Sequence, residues 1–427
     1  MKDARAIALE LLQEVLRHRR PLDDALAASR DLARLEPRDR AFARLLTATV
    51  LRRLGQIDAA IDARLERPLP AKRAIVRDIL RLGVAQIAFL DLAPHAAVDT
   101  SVALARARGQ AGLTGLVNAL LRRVAEAGPL PADDPEHLNV PDWLWQSWAA
   151  AYGDETAGAV ARAHLAEAPL DITVKDPESA LRWARALDAE ILPTGSLRRR
   201  AGGDPATLPG FTDGAWWLQD AAAALPARLL DAVAGPRVAD LCAAPGGKTL
   251  QLAAAGASVV AVDISDKRLS RLRQNLARVG LGAETVAADA GAWTPPEPFD
   301  AVLLDAPCTA TGTLRRHPDI AWNKGPGDVG RLAAVQDRLL QAALRMVKPA
   351  GTVVYATCSL QPEECGERIA ALAEGGTPFE IDPVRPHEMP GLDDAIAPDG
   401  ALRTLPCHWA ELGGLDGFYA IRLRRAG

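Results

Sequence analysis

Two cysteines, Cys308 and Cys358, have the residue type and the placement that covalent catalysis requires. Each follows a short apolar run rich in β-branched residues, which predicts one strand at Ala301–Leu304 and another at Thr352–Tyr355. In a doubly wound α/β sheet, ligands gather outside the carboxyl ends of the strands. Because a cysteine thiolate is a strong nucleophile, two thiols at this edge indicate covalent chemistry on a bound substrate.

A glycine-rich turn upstream of both cysteines predicts a nucleotide-like cofactor beside them. It follows a predicted strand at Arg237–Leu241 and opens a helix. The turn reads Cys242, Ala243, Ala244, Pro245, Gly246, Gly247, Lys248. Glycines there let the backbone approach a ligand closely. The turn lacks both the G-x-G-x-x-G and the G-x-x-x-x-G-K-[ST] spacings, which disfavours a nicotinamide-dependent oxidoreductase and an ATP site.

Three acidic residues follow three successive predicted strands of the same sheet. Asp263 follows the second strand, Asp289 the third and Asp305 the fourth. An acid at the end of the second strand hydrogen-bonds ribose hydroxyls in such folds, and Asp289 is placed to accept from an adenine amino group. Any one of these acids is also compatible with a helix cap or a turn. Three of them in this series indicate a nucleoside-containing ligand.

Composition favours a multidomain enzyme of the cytoplasm. The chain has 427 residues, of which 49% are hydrophobic and 24% charged, as is typical of globular proteins with two or three domains. No apolar stretch is long enough to span a bilayer, so no membrane partner is expected. The five cysteines contain no C-x-x-C pair, which argues against a disulfide framework or a metal site. We therefore expect a cytoplasmic protein without a metal, and we also expect it to be a monomer.

Charge is distributed unevenly along the chain. Residues 1–128 contain 22 Lys and Arg against 15 Asp and Glu, whereas the remainder contains 28 against 39. A basic segment joined to an acidic one is compatible with an appendage that binds a polyanion such as RNA. Arginine-rich helices also occur as ordinary solvated faces, so charge alone leaves both interpretations open.

Periodicity and helix-breaking residues divide the chain into three parts. Residues 1–128 carry apolar residues at helical spacing and predict a bundle of about six helices. Residues 129–214 begin with a linker rich in Pro and Asp and continue as a small α+β module. Within this module, Arg198–Arg200 form either a phosphate contact or a solvated turn. Residues 215–427 alternate strands and helices, which predicts a mostly parallel sheet.

The motifs of residues 214–420 resemble the Sun/Nop family of RNA 5-methylcytosine methyltransferases, which use S-adenosylmethionine. The blocks that carry the resemblance are Asp240–Lys248, Asp263, Asp289, Asp305–Arg316 with His317-Pro318-Asp319, Tyr355–Glu364, Gly214 with Trp216–Asp220, and Asp416–Tyr419. The N-terminal segment, ending in Val117–Arg123, resembles a NusB-like RNA-binding domain. The resemblance implies an all-α NusB-like bundle, a small α+β RNA-binding module and a Rossmann-like class I S-adenosylmethionine methyltransferase domain.

The resemblance also implies a reaction and a role for each site residue. The implied reaction methylates carbon 5 of a cytosine in small-subunit rRNA, free or partly assembled, and converts S-adenosylmethionine to S-adenosylhomocysteine. Cys358 is then the nucleophile, Cys308 assists release of the product, and Asp305 hydrogen-bonds N3 of the base. The spacing of the cysteines alone does not decide which one is the nucleophile.

Two further groups of residues are candidates for binding. The implied cofactor residues are Cys242, Ala243, Ala244, Pro245, Gly246, Gly247, Lys248, Asp263, Asp289 and Asp305. The candidate RNA contacts are Arg315, Arg316, His317 and Lys324. Arg198–Arg200 are a further candidate contact of the same kind.

One departure from the family pattern lies directly after Cys308. The family usually has Ser-Gly there, whereas this chain has Thr309 and Ala310, and loss of the glycine is expected to restrict the loop. Cys365 and Cys407 have no assigned role. Two alternatives stay open at this point: the same chemistry on another rRNA or a tRNA cytosine, and a non-catalytic RNA-binding or antitermination-type protein.

Overall fold

The structure, a computed structural model, describes residues 3–128, 130, 134–200, 202–230 and 236–426. The chain divides into two compact units. The helical unit comprises Met1–Ala166 and Leu314–Gly325, and the sheet unit comprises Glu167–Thr313 and Pro326–Gly427. Parts of the predicted linker, including Pro129, lie outside the described residues. Among the described residues, no helix is both long and apolar enough to cross a membrane.

In the helical unit, the helices before residue 128 pack around one apolar core. The first helix starts at the cap Asp3, whose side chain accepts from the backbone N–H of Ala6 at 2.8 Å. Its residues Leu9, Leu12 and Val15 are fully buried, as their helical spacing predicts. The helices are α1 Ala4–His18, α2 Leu22–Ala28, α3 Arg30–Ala33, α4 Pro37–Arg52, α5 Leu54–Asp62, α6 Ala74–Ala88, α7 Pro94–Ala107, α8 Thr114–Ala127, α9 Pro135–Leu138, α10 Asp142–Tyr152 and α11 Asp154–His164.

The prediction of about six helices before residue 128 differs from the structure, which has eight in this range. The two additional helices, α2 and α3, have seven and four residues and are too short to show a full helical period in the sequence. On α4, Leu46 and Val50 are fully buried whereas Leu45 is 40% exposed, so the buried stripe of this helix is narrow.

Residues 314–325, which follow the Cys308 loop in the sequence, pack with the N-terminal helices as part of the helical unit. The carboxylate of Asp319 accepts from the backbone N–H of Leu22 at 3.0 Å. The indole N–H of Trp322 donates to the carbonyl of Leu51 at 2.8 Å, and its ring packs against the apolar core. These contacts join residues almost 300 positions apart, which sequence periodicity does not predict.

The sheet unit contains two β-sheets and the helices that cover them. Its elements are β1 Leu170–Val174, α12 Ala180–Leu187, β2 Glu190–Ile191, β3 Leu197–Arg199, β4 Trp216–Leu218, α13 Leu225–Arg228, β5 Arg237–Leu241, α14 Gly247–Ala254, β6 Ser258–Asp263, α15 Asp266–Val279, β7 Glu284–Ala287, β8 Phe299–Asp305, α17 Pro326–Met346, β9 Val347–Thr357, α18 Gly366–Glu374, β10 Phe379–Ile381, β11 Leu402–Thr404 and β12 Phe418–Arg425. The short helix α16, Ile320–Asn323, belongs to the helical unit.

The large sheet has the strand order β10-β12-β9-β8-β5-β6-β7, with β11 paired to β12. The five predicted strands are β5, β6, β7, β8 and β9, and they form the parallel part of this sheet. The fold class predicted from the sequence is therefore confirmed. The strand order reverses at β5, which is where such sheets bind ligands. The sequence did not predict β12, which runs antiparallel to β9.

Side chains of the central strands alternate between the two faces of the large sheet, and both faces are apolar and covered. In β8, Val302 and Leu304 face the cluster that contains Leu339 of α17, while Leu303 faces the opposite cluster with Leu225 of α13. Four consecutive buried apolar residues are the expected pattern for a strand with helices on both sides. Lys348–Gly351, directly after α17, form part of the first half of β9.

The small sheet has the order β2-β3-β1-β4 and is antiparallel. The segment Trp216–Leu218 forms its edge strand, although the sequence analysis assigned it to the beginning of the α/β part. A buried ion pair crosses this sheet: the guanidinium of Arg198 donates to both carboxylate oxygens of Asp171, each at 2.7 Å. Arg198 also donates to the carbonyls of Leu412 and Gly414. The prediction of Arg198 as a phosphate contact is therefore wrong.

We predict that Arg198→Met destabilises the sheet unit by about 3–5 kcal/mol, because it leaves the carboxylate of Asp171 buried without its partner. The free energy of unfolding is measured by urea titration followed by tryptophan fluorescence. The control is Arg273→Met, which breaks the exposed pair of Arg273 with Asp266 and is expected to cost less than about 1 kcal/mol. Equal losses for the two variants would contradict the prediction.

Candidate active site

The two thiols meet at the carboxyl edge of the large sheet. Strands β8 and β9 are parallel neighbours, and Asp305 at the end of β8 pairs with Ala356 near the end of β9. The loops that leave these strands therefore start side by side. The Sγ atoms of Cys308 and Cys358 lie 3.5 Å apart, and both side chains are half-buried. One carbon atom of a substrate can thus be reached from either thiol.

The environment of Cys308 favours the protonated thiol. Its pKa is raised well above the usual value, first by the hydrogen bond with Cys358, then by burial and by the negative charge of Glu364. Cys308 therefore keeps its proton at neutral pH. Because the thiolate is the nucleophilic form, a thiol with a raised pKa is suited to holding a proton rather than to attack.

A buried ion pair stands beside the thiols. The ammonium Nζ of Lys248 lies 2.7 Å from Oδ2 of Asp305 and also lies over the ring of Phe418, 5.1 Å from its centroid. Burial acts to lower the pKa of Lys248, but the charges of Asp305 and Asp240 outweigh it, and the pKa is raised. Lys248 is therefore a buried positive charge, and its partner Asp305 is partly exposed.

The glycine-rich turn that follows β5 has backbone φ angles that residues with a side chain disfavour. Cys242 has φ 61° and Gly246 has φ 107°, both in the left-handed region. A Cβ atom at Gly246 would lie 2.8 Å from Cγ of Leu272, so glycine is required there. Gly247 then begins α14. Burial raises the pKa of Cys242 to about 12, so this third cysteine is a neutral part of the turn.

The acids predicted from the strand ends lie at the same edge of the sheet. Asp263, at the end of β6, is buried, accepts from the backbone N–H of Ala244 at 3.2 Å and pairs with Arg268 at 3.1 Å. Asp289, just beyond β7, pairs with Arg338 at 2.8 Å, and this hydrogen bond is the main reason why the pKa of Asp289 is lowered. The turn, Asp263, Asp289 and Asp305 thus line adjacent strand ends.

Asp240 lies within β5, beneath this edge, and is almost completely buried. The hydroxyl of Thr249 donates to its Oδ2 at 2.5 Å, whereas Oδ1 has no hydrogen-bond partner among the residues that the structure describes. Burial raises the pKa of Asp240 to about 7. A buried acceptor without a partner is costly, and it marks a place where a bound group can donate a hydrogen bond.

The candidate RNA contacts belong to the helical unit, whereas the thiols and the acids belong to the sheet unit. Arg315 is buried, and its carbonyl accepts from Arg52 at 2.9 Å, so a direct phosphate contact by its side chain is not supported. Arg316, His317 and Lys324 are half-buried. His317 lies 3.5 Å from a carboxylate oxygen of Asp23. A role of these three residues in RNA binding stays a prediction.

Sequence reasoning missed a buried carboxylate behind the two cysteines. Glu364 is fully buried and accepts hydrogen bonds from Thr309, Ser359 and Gln336. It lies in the block Tyr355–Glu364 that carried the family resemblance, but its position six residues after Cys358 does not by itself reveal the contact with Thr309. The expected restriction after Cys308 is visible at Ala310, which has φ 60° in a region that favours glycine.

Comparison with protein families divides the chain in the same order as the sequence analysis. Residues 227–424 match the model described as 16S rRNA methyltransferase RsmB/F, and residues 2–126 match the NusB family. The first match contains the glycine-rich turn, all three acids and both cysteines. The second covers the helices α1 to α8.

Individual relatives extend over nearly the whole chain. A protein of Klebsiella pneumoniae subsp. pneumoniae named ribosomal RNA small subunit methyltransferase B is 34% identical over 91% of this chain and 95% of its own. The protein of the same name from Escherichia coli is 33% identical over 99% of this chain and 98% of its own. The crystal structure of PH0851 has the same fold, with a TM-score of 0.78 and 24% identity over 98% of this chain and 99% of its own. The chain belongs to the RsmB/F family of 16S rRNA methyltransferases and carries an N-terminal NusB-family domain.

Proposed function

We propose that this protein transfers the methyl group of S-adenosylmethionine to carbon 5 of a cytosine in small-subunit rRNA. The observation that carries the proposal is the pair of thiols 3.5 Å apart beside the ion pair of Lys248 and Asp305. Relatives of the chain are named for methylation of the ribosomal small subunit, which supports the choice of substrate. The protein acts as a cytoplasmic enzyme on free or partly assembled rRNA and as a monomer.

The chemistry explains why a methyltransferase of this kind needs a thiol. Carbon 5 of cytosine is a weak nucleophile, so a thiolate first adds to carbon 6 and converts the ring to an enamine that is nucleophilic at carbon 5. S-adenosylmethionine, when bound, supplies an electrophilic methyl group to that carbon. Removal of the proton from carbon 5 then allows the thiolate to leave carbon 6 and restores the aromatic ring.

The two cysteines have different surroundings that fit different steps. Cys358 interacts with the positive charge of Lys248, and we assign to it the attack on carbon 6. Cys308, whose pKa is raised, assists elimination as a proton relay: it gives its proton to the sulfur of Cys358 as that sulfur leaves carbon 6, and it takes up the proton released from carbon 5. N3 of the base takes up a proton from Lys248 through Asp305 when the thiolate adds, and it returns this proton when the ring is restored. While protonated, N3 donates to the carboxylate of Asp305, which stabilises the adduct. The target base must leave its stack to reach both thiols, which favours a loop or helix-end cytosine.

The residues at the sheet edge fit S-adenosylmethionine. The carboxylate of Asp263 at the end of β6 suits the ribose hydroxyls, and Asp289 suits the adenine amino group. The partnerless buried Oδ1 of Asp240 is an acceptor beneath the turn, and Gly246 leaves the space that a side chain would fill. Hydroxyl and amino groups are donors, so a ligand that carries both matches this row of acceptors.

A first prediction concerns the RNA itself. Bisulfite sequencing of small-subunit rRNA from cells with and without the gene is expected to show one cytosine that loses 5-methylation in the deletion strain. The wild-type gene restores the modification, and a Cys358→Ala gene does not. If small-subunit rRNA is unchanged and a modification is lost from a tRNA or from large-subunit rRNA, the enzyme acts on that RNA instead.

A second prediction separates the two thiols. Cys358→Ala is expected to lower methylation by roughly 1,000-fold or more and to abolish capture of RNA, because the nucleophile is gone. Cys308→Ala is expected to accumulate a protein–RNA adduct that survives denaturation, seen as a shifted band on a denaturing gel. Cys407→Ala, a half-buried cysteine of the same unit, is the control and keeps wild-type behaviour. Capture of RNA by Cys358→Ala would reverse the two assignments.

A third prediction tests the cofactor site. Asp263→Asn is expected to weaken binding of S-adenosylhomocysteine about 10-fold, measured by isothermal titration calorimetry, because an amide is a weaker acceptor for ribose hydroxyls than a carboxylate. Asp266→Asn, an exposed acid three residues away, is the matched control and is expected to bind normally. Binding of NAD by the wild-type protein, or equal affinities in all three proteins, would contradict the assigned ligand.

A further inference from the structure

Glu364 is a buried carboxylate that the reaction scheme does not use. It ends the short 3-10 helix Pro362–Glu364, which follows the Cys358 loop. Its Oε1 accepts from the backbone N–H of Thr309 at 2.9 Å and from Nε2 of Gln336 at 3.2 Å. Its Oε2 accepts from the hydroxyl of Ser359 at 2.5 Å and from the hydroxyl of Thr309. One side chain thus receives four hydrogen bonds.

The donors show what this carboxylate connects. Thr309 directly follows Cys308, and Ser359 directly follows Cys358, so Glu364 joins the loops of both thiols. The backbone N–H of Gly312 also donates to the carbonyl of Cys358 at 2.9 Å. A change at Glu364 therefore alters the backbone next to both sulfur atoms. Thr309 retains the hydroxyl of the serine that is usual in the family, and this hydroxyl is one of the donors.

The charge of Glu364 acts on Cys308. It contributes to the raised pKa of Cys308, after the hydrogen bond with Cys358 and burial. The buried phenol of Tyr355 also interacts with Cys308, and its hydroxyl donates to the carbonyl of Glu364 at 2.8 Å. Lys248 interacts with Cys358. A buried negative charge thus stands behind the thiol of Cys308.

We propose that Glu364 is a positioning residue that holds the two cysteine loops at their spacing and places a buried carboxylate behind Cys308. The inference rests on the proposed function, since different roles for the two thiols have meaning only in that reaction. Glu364 does not touch the reacting atoms and acts through Thr309 and Ser359. The four hydrogen bonds set the geometry, and the negative charge disfavours the thiolate of Cys308.

The test uses Glu364→Gln, which keeps the shape of the side chain and removes its charge. The rate at which iodoacetamide alkylates Cys308 is measured against pH by mass spectrometry, in full-length protein that also carries Cys358→Ser. The midpoint of alkylation is expected to move to lower pH by about one unit, because a like charge that disfavours the thiolate is removed. Glu363→Gln, the same change at the exposed neighbouring residue, is the control and leaves the midpoint unchanged.

A second pair of variants separates position from charge. Thr309→Val removes one hydroxyl donor and leaves the charge, so methylation by the protein with both cysteines is expected to fall about 10-fold, mainly in kcat, while the alkylation midpoint stays in place. Thr309→Ser restores the hydroxyl and the rate. An unchanged midpoint in folded Glu364→Gln, or a fully active Thr309→Val, would overturn the inference. Alkylation requires neither RNA nor S-adenosylmethionine, so failure of the proposed function alone leaves its result intact.

Discussion

The parallel pairing of β8 with β9 is the constraint on which the active site depends. It sets Asp305 opposite Ala356, so the two strands end at the same level and the loops that follow them begin at the same edge of the sheet. Both cysteines lie within three residues of these ends, and their sulfur atoms come to 3.5 Å, the distance of a hydrogen bond between the two thiols. A register shift of one residue would turn every side chain of a strand to the opposite face and would separate the pair.

The C-terminal strand contributes to this arrangement from the other side of β9. Strand β12 pairs antiparallel with β9 up to Thr357, the residue before Cys358, and so fixes the end of that strand between two neighbours. Phe418, the first residue of β12, also places its ring beneath the ammonium of Lys248. A buried lysine retains its charge only with such compensation, here from Asp305 and an aromatic face. The last strand of the chain therefore helps to stabilise the charge of Lys248 in a site that earlier strands of the sheet form.

Sequence alone predicts the parts of this protein that depend on local pattern. The parallel strands, the turn at Gly246 and the acids at strand ends follow from periodicity and from residue types at fixed positions. Contacts between distant segments were not predictable in this way. In the sequence, Arg198 is compatible with a surface charge, and only the structure shows that it binds Asp171, 27 residues earlier. Only the structure likewise shows that Glu364 lies beside Thr309, 55 residues earlier. In each case, tertiary packing decides the environment of a polar side chain that the sequence leaves open.

Two identical side chains perform different tasks only if their surroundings differ over a few ångströms. In the proposed reaction, part of that difference comes from Glu364, whose charge contributes to the raised pKa of Cys308. Glu364 is fully buried, so salt screens its charge only weakly. In that scheme the roles of the two cysteines depend on the buried groups around them, and the spacing of the cysteines in the sequence does not reveal those groups.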